Sequence, residues 1–284
     1  MNRSLVTAIL VSKAALLVWA DVSSEARAAF EQTDFARAIR LLQPVAKTSA
    51  DWLLLGRSYF MQQDFKKATD AFEKAARLDP QSSEAQMWLG RAYGRRAETA
   101  SPFGAPSLAS KSRAAFERAV QLDPNNREAL NDLFEFYLQA PGFLGGGEKK
   151  AQALVERIAA LDPAERYFAE ARLAEHRREY QTAEQKLRRA VDAAPLQVGR
   201  LIDLARLLAR IGKIQESEDT FERAARIDPN SPLLLFGRAQ TYIESKRNLP
   251  QARRLLTQYL QSKLTPDDPP RAEAEKLLRE IGGE

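Results

Sequence analysis

Residues 49–82 read SADWLLLGRSYFMQQDFKKATDAFEKAARLDPQS, and the fold follows from this stretch. Trp52, Leu55, Gly56 and Tyr59 share one face of a first helix, and Phe65, Ala68, Phe72 and Ala75 share one face of a second. Gln63-Asp64 is the turn between them. Gly56, Ala68 and Ala75 are small enough for the two backbones to approach, while Tyr59 and Phe72 fill the space that remains. Asp79-Pro80 ends the second helix, because proline lacks an amide hydrogen and pushes its predecessor out of the helical region.

The closing phrase recurs. Arg77-Leu78-Asp79-Pro80 is followed by Gln121-Leu122-Asp123-Pro124, Ala160-Leu161-Asp162-Pro163, Ala193-Ala194-Pro195 and Arg226-Ile227-Asp228-Pro229, with prolines 44, 39, 32 and 34 residues apart. A period in the thirties marks stacked helical hairpins, each burying its apolar face on its neighbours. Composition agrees: Ala, Leu, Arg, Glu and Lys dominate, while Gly and Pro number only 13 and 14.

Trp52, Leu55, Gly56, Tyr59, Ala68, Phe72, Ala75 and Pro80 resemble, at every spacing, the tetratricopeptide repeat, whose unit is about 34 residues. Residues 83–126 keep Leu89, Gly90, Tyr93, Phe116, Ala119 and Pro124 with about ten extra residues between the helices, and 127–163 carry about five extra there. Residues 164–197, 198–231 and 232–265 follow the pattern, and a degenerate opening unit runs over 21–48. Residues 269–281 place Ala274, Leu277, Leu278 and Ile281 on one stripe, as a capping helix does. The resemblance implies an all-α, right-handed superhelical solenoid of six to seven repeats over 21–281, in an exported bacterial member of the family. It also implies a noncatalytic scaffold for protein binding.

Residues 1–20 read as a secretory signal peptide: a positive start at Arg3, an apolar run from Leu5 to Trp19, and a small-residue cleavage site before Asp21. The expectation is export, periplasmic or secreted, after cleavage near Ala20. The alternative is a cytoplasmic protein in which residues 5–20 form a first amphipathic helix around Lys13. The run is too short and too charged to span a membrane.

Catalytic chemistry finds little purchase. With no cysteine there is no disulfide, thiolate metal site or Cys nucleophile. The single histidine, His176, has no partner in a sequence relation that suggests a triad, so no enzyme activity, cofactor or metal is expected. Gly142-Phe143-Leu144-Gly145-Gly146-Gly147-Glu148-Lys149-Lys150 lacks both the phosphate-loop spacing and a preceding strand, and reads as a turn elongating one hairpin.

A net charge of +5 and a pI near 9.4 favour acidic partners. In the family that the chain resembles, first helices line a groove, and the ninth residues of successive repeats here are Arg57, Arg91, Glu135, Arg172, Arg206 and Gln240. One turn later come Met61, Arg95, Gln139, His176, Arg210 and Glu244. Arginine reads carboxylates through paired N–H donors, so the expected ligand is an acidic peptide or protein segment along Arg57, Arg91, Arg95, Arg172, His176, Arg206 and Arg210. Met61, Met87 and Phe168 would add adaptable apolar contacts. The competing reading is that these arginines only solvate the face or pair with neighbouring glutamates. Asn131 alone does not make the asparagine and lysine set that clamps a C-terminal carboxylate. The insertions, Arg95–Lys111 and Gln139–Glu148, are expected as long loops exposing Phe103 and Phe143, either for a partner or packed on each other. Single-stranded RNA is the alternative ligand, disfavoured because the aromatics serve packing.

Overall fold

The computed structural model describes residues 22–282, and every regular element among them is helical. The proposed leader, 1–20, lies outside the described residues. Two compact units meet in sequence between Leu122 and Asp123. The first holds α1 (22–31), α2 (Phe35–Leu42), α3 (Ser49–Met61), α4 (Phe65–Leu78), α5 (Ser83–Thr99) and α6 (Ala105–Leu122). The second holds α7 (Arg127–Gln139), α8 (Glu148–Leu161), α9 (Pro163–His176), α10 (Tyr180–Ala193), α11 (Val198–Arg210), α12 (Ile214–Ile227), α13 (Pro232–Glu244), α14 (Leu249–Gln261) and α15 (Arg271–Glu280). Within each unit the helices pair and stack as a repeat solenoid does, each packing on its sequence neighbours.

The predicted close approach is visible at Gly56, where an added Cβ would stand 2.5 Å from the Phe72 ring, and at Gly90, where it would stand 2.6 Å from that of Phe116. The small position facing them on the second helix is serine in two repeats. Ser112 Oγ donates to the Gly90 carbonyl and Ser217 Oγ to the Ala205 carbonyl, each at 2.8 Å, so a buried hydroxyl is satisfied by the partner helix.

Turns inside the hairpins share one device, a left-handed residue followed by the residue that starts the next helix. Thr33, Gln63, Arg178 and Gly212 have φ of 57°, 62°, 62° and 83°. Asp34 and Asp64 then cap α2 and α4 by accepting from the Arg37 and Lys67 amides. At the other end of the hairpins, Asp79 closes α4 as expected. Asp162 does more: it ends α8 and caps α9, which begins at once with Pro163, where proline's missing amide costs nothing.

The first insertion departs from expectation. Residues 95–111 do not form a long loop: α5 continues to Thr99 and α6 starts at Ala105, leaving only 100–104 between them. Arg95, Arg96, Ala97 and Glu98 are good helix formers, and each helix extends by about a turn. Ser49 Oγ donates to the Ala75 carbonyl and Ser83 Oγ to the Ala119 carbonyl, both at 2.9 Å; these separations of 26 and 36 residues place the added residues between the paired helices. In the second insertion a 3-10 turn, Gly142–Leu144, precedes Gly145 at φ 88° and Gly147 at φ 146°. The Gly147 amide donates to the Tyr137 carbonyl at 2.7 Å, and Lys150 Nζ to the Gly145 carbonyl at 2.7 Å, pinning the turn to both helices.

α15 packs on α14, and Ala274, Leu277, Leu278 and the capping Ile281 join the last core cluster with Tyr259 and Phe236. No helix among the described residues is long and apolar enough to cross a membrane.

Candidate functional site

In the first unit the ninth-position arginines gather on an aromatic surface built by α1, α3 and α5. The Arg57 guanidinium lies 4.8 Å from the Phe30 ring centre and 5.1 Å from that of Trp88, with Nη1 3.5 Å from Glu84. Arg91 lies 4.7 Å from the same Trp88 ring. Arg95 sits 5.1 Å from the Phe65 ring and reaches Glu98 at 2.8 Å. Such stacking fixes the plane of each guanidinium over its ring.

In the second unit equivalent positions of consecutive repeats touch. Arg172 grips Glu135 with Nε and Nη2 at 2.9 and 3.0 Å, and Arg206 Nη2 donates to the Gln240 oxygen at 3.1 Å. Each pair joins ninth residues of neighbouring repeats, so these side chains form contacts from one first helix to the next. The hydrogen bonds that Arg172 donates to Glu135 push its guanidinium to a still higher pKa, against the effect of its burial. Arg210 reaches Glu175 at 2.6 Å. His176 is exposed at the end of α9 and has no hydrogen-bond partner among the described residues.

Sequence reasoning named Arg206 and Gln240 on this face but missed Arg200, Asp203 and Phe236 beside them. Arg200, Asp203, Arg206, Phe236 and Gln240 border a cavity of about 620 Å³ between α11 and α13. Arg200 is held by Glu165 and by Asp203 at 3.4 Å, and its guanidinium covers the Phe168 ring at 4.4 Å. Burial pushes the Asp203 carboxyl up to about 6 although Arg200, Arg206 and Arg172 oppose the rise and only Glu175 adds to it. The signal available in sequence was the i, i+3, i+6 run Arg200, Asp203, Arg206 along one helix.

The apolar contacts divide. Met61 and Met87 are buried in the core of the first unit and Phe168 lies beneath Arg200, so none of the three is an adaptable surface contact. Each occupies a face turned toward a neighbouring helix, which the groove count did not anticipate. Phe103 and Phe143 are 98% and 82% exposed, so neither ring is packed. No group of three or more potential metal ligands occurs among the described residues.

The tetratricopeptide repeat profile matches residues 24–83, 53–101 and 202–269, together just over half of the chain. No curated protein matches the sequence. Among solved structures, a tetratricopeptide repeat protein from Parabacteroides merdae is 14% identical, with a TM-score of 0.60 over 93% of this chain and 99% of that one. A thermophilic repeat protein of Thermus thermophilus is 16% identical, with a TM-score of 0.55 over 67% of this chain and 98% of its own. The APC/C hetero-tetramer Cut9–Hcn1 contains a chain that is 16% identical, with a TM-score of 0.51 over 90% of this chain and 48% of that one. The repeat residues, the paired helices and the profile agree, and the chain belongs to the tetratricopeptide repeat family.

Proposed function

We propose that the protein is a noncatalytic scaffold for protein–protein interaction in which each unit holds an acidic segment of a partner against its first helices. Family membership suggests the scaffold role, and a chain of similar fold occurs in the Cut9–Hcn1 hetero-tetramer. The observation that carries the acidic preference is Arg206 in the second unit, which meets a neutral amide rather than a carboxylate. In the first unit Arg57 and Arg91 stack on Trp88, and Arg57 also reaches Glu84. Arg95, Arg172, His176 and Arg210 complete the proposed contact set. Phe103 and Phe143, exposed on the inserted turns, are proposed as apolar contacts, one for each unit.

Replacing Arg91, Arg172 and Arg206 together by Glu tests the reading. Loss of acidic partners from affinity capture, with helical circular dichroism retained and nuclease without effect, is expected; unchanged capture contradicts it. Because reversal at Arg172 confronts Glu135 and Glu175, a second variant with Arg172→Gln separates lost binding from lost folding.

We also propose export after cleavage at Ala20, on the strength of the leader's charge and apolar run. N-terminal sequencing of the mature protein is expected to begin at Asp21; a start at Met1 or Asn2 contradicts it.

A further inference from the structure

The cavity between α11 and α13 has two kinds of wall. Val198, Ile202, Leu233 and Phe236 make it apolar in part, while Gln197, Arg200, Asp203, Arg206 and Gln240 are its polar lining. Leu233 stands 40% exposed on that apolar wall. A single exposed leucine on a flat surface needs no explanation, but on a concave apolar wall it offers a place for a large side chain to leave water.

Arg206 supplies the charge. The carboxylates nearest this face are already committed: Glu165 and Asp203 to Arg200, Glu135 to Arg172, and Glu175 to Arg172 and Arg210. None lies within 4.0 Å of Arg206 among the described residues. Its one hydrogen bond goes to the Gln240 oxygen, its Nε is buried without an acceptor, and Nη1 keeps both N–H donors unpartnered without being buried. A guanidinium so placed is under-compensated, and an incoming carboxylate gains charge-assisted hydrogen bonds without displacing a protein partner. The Gln240 amide nitrogen, also without a protein partner, adds a further donor on the same wall. Arg172 and Arg210 differ, because a ligand would have to compete with their own glutamates.

We propose that this cavity is the specificity subsite of the second unit. It takes an internal Asp or Glu side chain of an extended partner segment on Arg206, and seats an adjacent large aliphatic or aromatic side chain against Val198, Ile202, Leu233 and Phe236. This rests on the scaffold reading above and adds a sequence requirement to it. A purely acidic segment leaves the apolar wall wet, and a purely apolar one leaves Arg206 uncompensated.

The test uses the full chain with labelled Ile and Leu methyl groups, titrated by nuclear magnetic resonance with blocked octapeptides. These are acetylated and amidated Gly/Ser sequences carrying a central Glu-Leu, Gln-Leu or Glu-Ser pair, plus one with Glu-Leu as a free C-terminal acid. The Glu-Leu probe is expected to move the Ile202 and Leu233 signals. Gln-Leu and Glu-Ser should bind about tenfold more weakly or worse. Arg206→Gln should weaken Glu-Leu by a similar factor while leaving Gln-Leu unchanged, and Leu233→Ser, at an exposed position, should weaken Glu-Leu but not Glu-Ser. Equal binding of Glu-Leu and Gln-Leu overturns the proposal, as does binding of the free acid alone or silence of both methyl signals. If these methyls stay silent while the triple charge reversal still abolishes partner capture, the subsite fails and the scaffold reading stands.

Discussion

Gly56 is where a single atom decides the hairpin. An alanine methyl would meet the Phe72 ring at 2.5 Å, and that ring also stacks on Trp88 at 5.9 Å, so it cannot withdraw without disturbing the next repeat. Gly56→Ala should therefore cost about 1–3 kcal/mol in denaturant unfolding, although alanine is the better helix former. Thr33 presents the opposite case. It is a β-branched residue at φ 57°, where glycine is at ease, so Thr33→Gly should gain about 0.5 kcal/mol once glycine's extra chain entropy is subtracted. Asp203 adds a pH signature. Its carboxyl is pushed up to about 6 in the fold against an ordinary value of about 3.9, so the folded chain binds that proton more tightly. Its contribution to stability is complete below pH ~4 and is lost as pH rises through about 6. Asp203→Asn should flatten the melting temperature between these limits and leave the variant more stable than its parent near pH 7. Arg200, Arg206, Arg172 and Glu175 surround this group, and Arg200 keeps Glu165 in the variant.

Three hairpins are joined to the one before by a tyrosine on the first helix that reaches back to the end or the body of the preceding second helix. Tyr59 donates to Gln43 at 3.0 Å, Tyr93 to Glu73 at 2.6 Å and Tyr242 to Glu218 at 2.7 Å, over 16, 20 and 24 residues. These separations step by four, one helical turn each, so different repeats use the same phenol at different heights on the partner helix. Glu218 also gathers Arg238 and Arg247, at 2.9 and 3.1 Å. Tyr93→Phe should lose about 1.5–3 kcal/mol, since the bond goes to a charged acceptor; an unchanged unfolding midpoint would contradict this. The hairpins are legible in sequence because Trp52, Gly56, Tyr59, Phe72 and Pro80 each answer one local requirement of packing or termination. The first insertion is not, because length alone suggests a loop, whereas Arg95-Arg96-Ala97-Glu98 carries helix propensity. The ion pairs are legible only as alternatives, since whether Arg172 faces a ligand or Glu135 depends on stacking between repeats.

Across the whole molecule, one repeat pattern supplies two compact units, each with its own face of first helices and its own apolar projection, Phe103 or Phe143. The cavity escapes sequence reading because Val198 and Phe236 lie on different repeats, and only packing brings them to one wall. In the proposed reading, binding rests on Arg206, which no carboxylate among the described residues pairs. The most direct measurement is selection of binders to the purified full chain from a random displayed-peptide library. The scaffold account predicts that enriched peptides are net acidic with an apolar residue beside the acid. It also predicts that they lose affinity for the Arg91→Glu, Arg172→Glu, Arg206→Glu variant while its helical circular dichroism persists. Enrichment of basic or uncharged peptides, or acidic peptides that bind that folded variant undiminished, would contradict it.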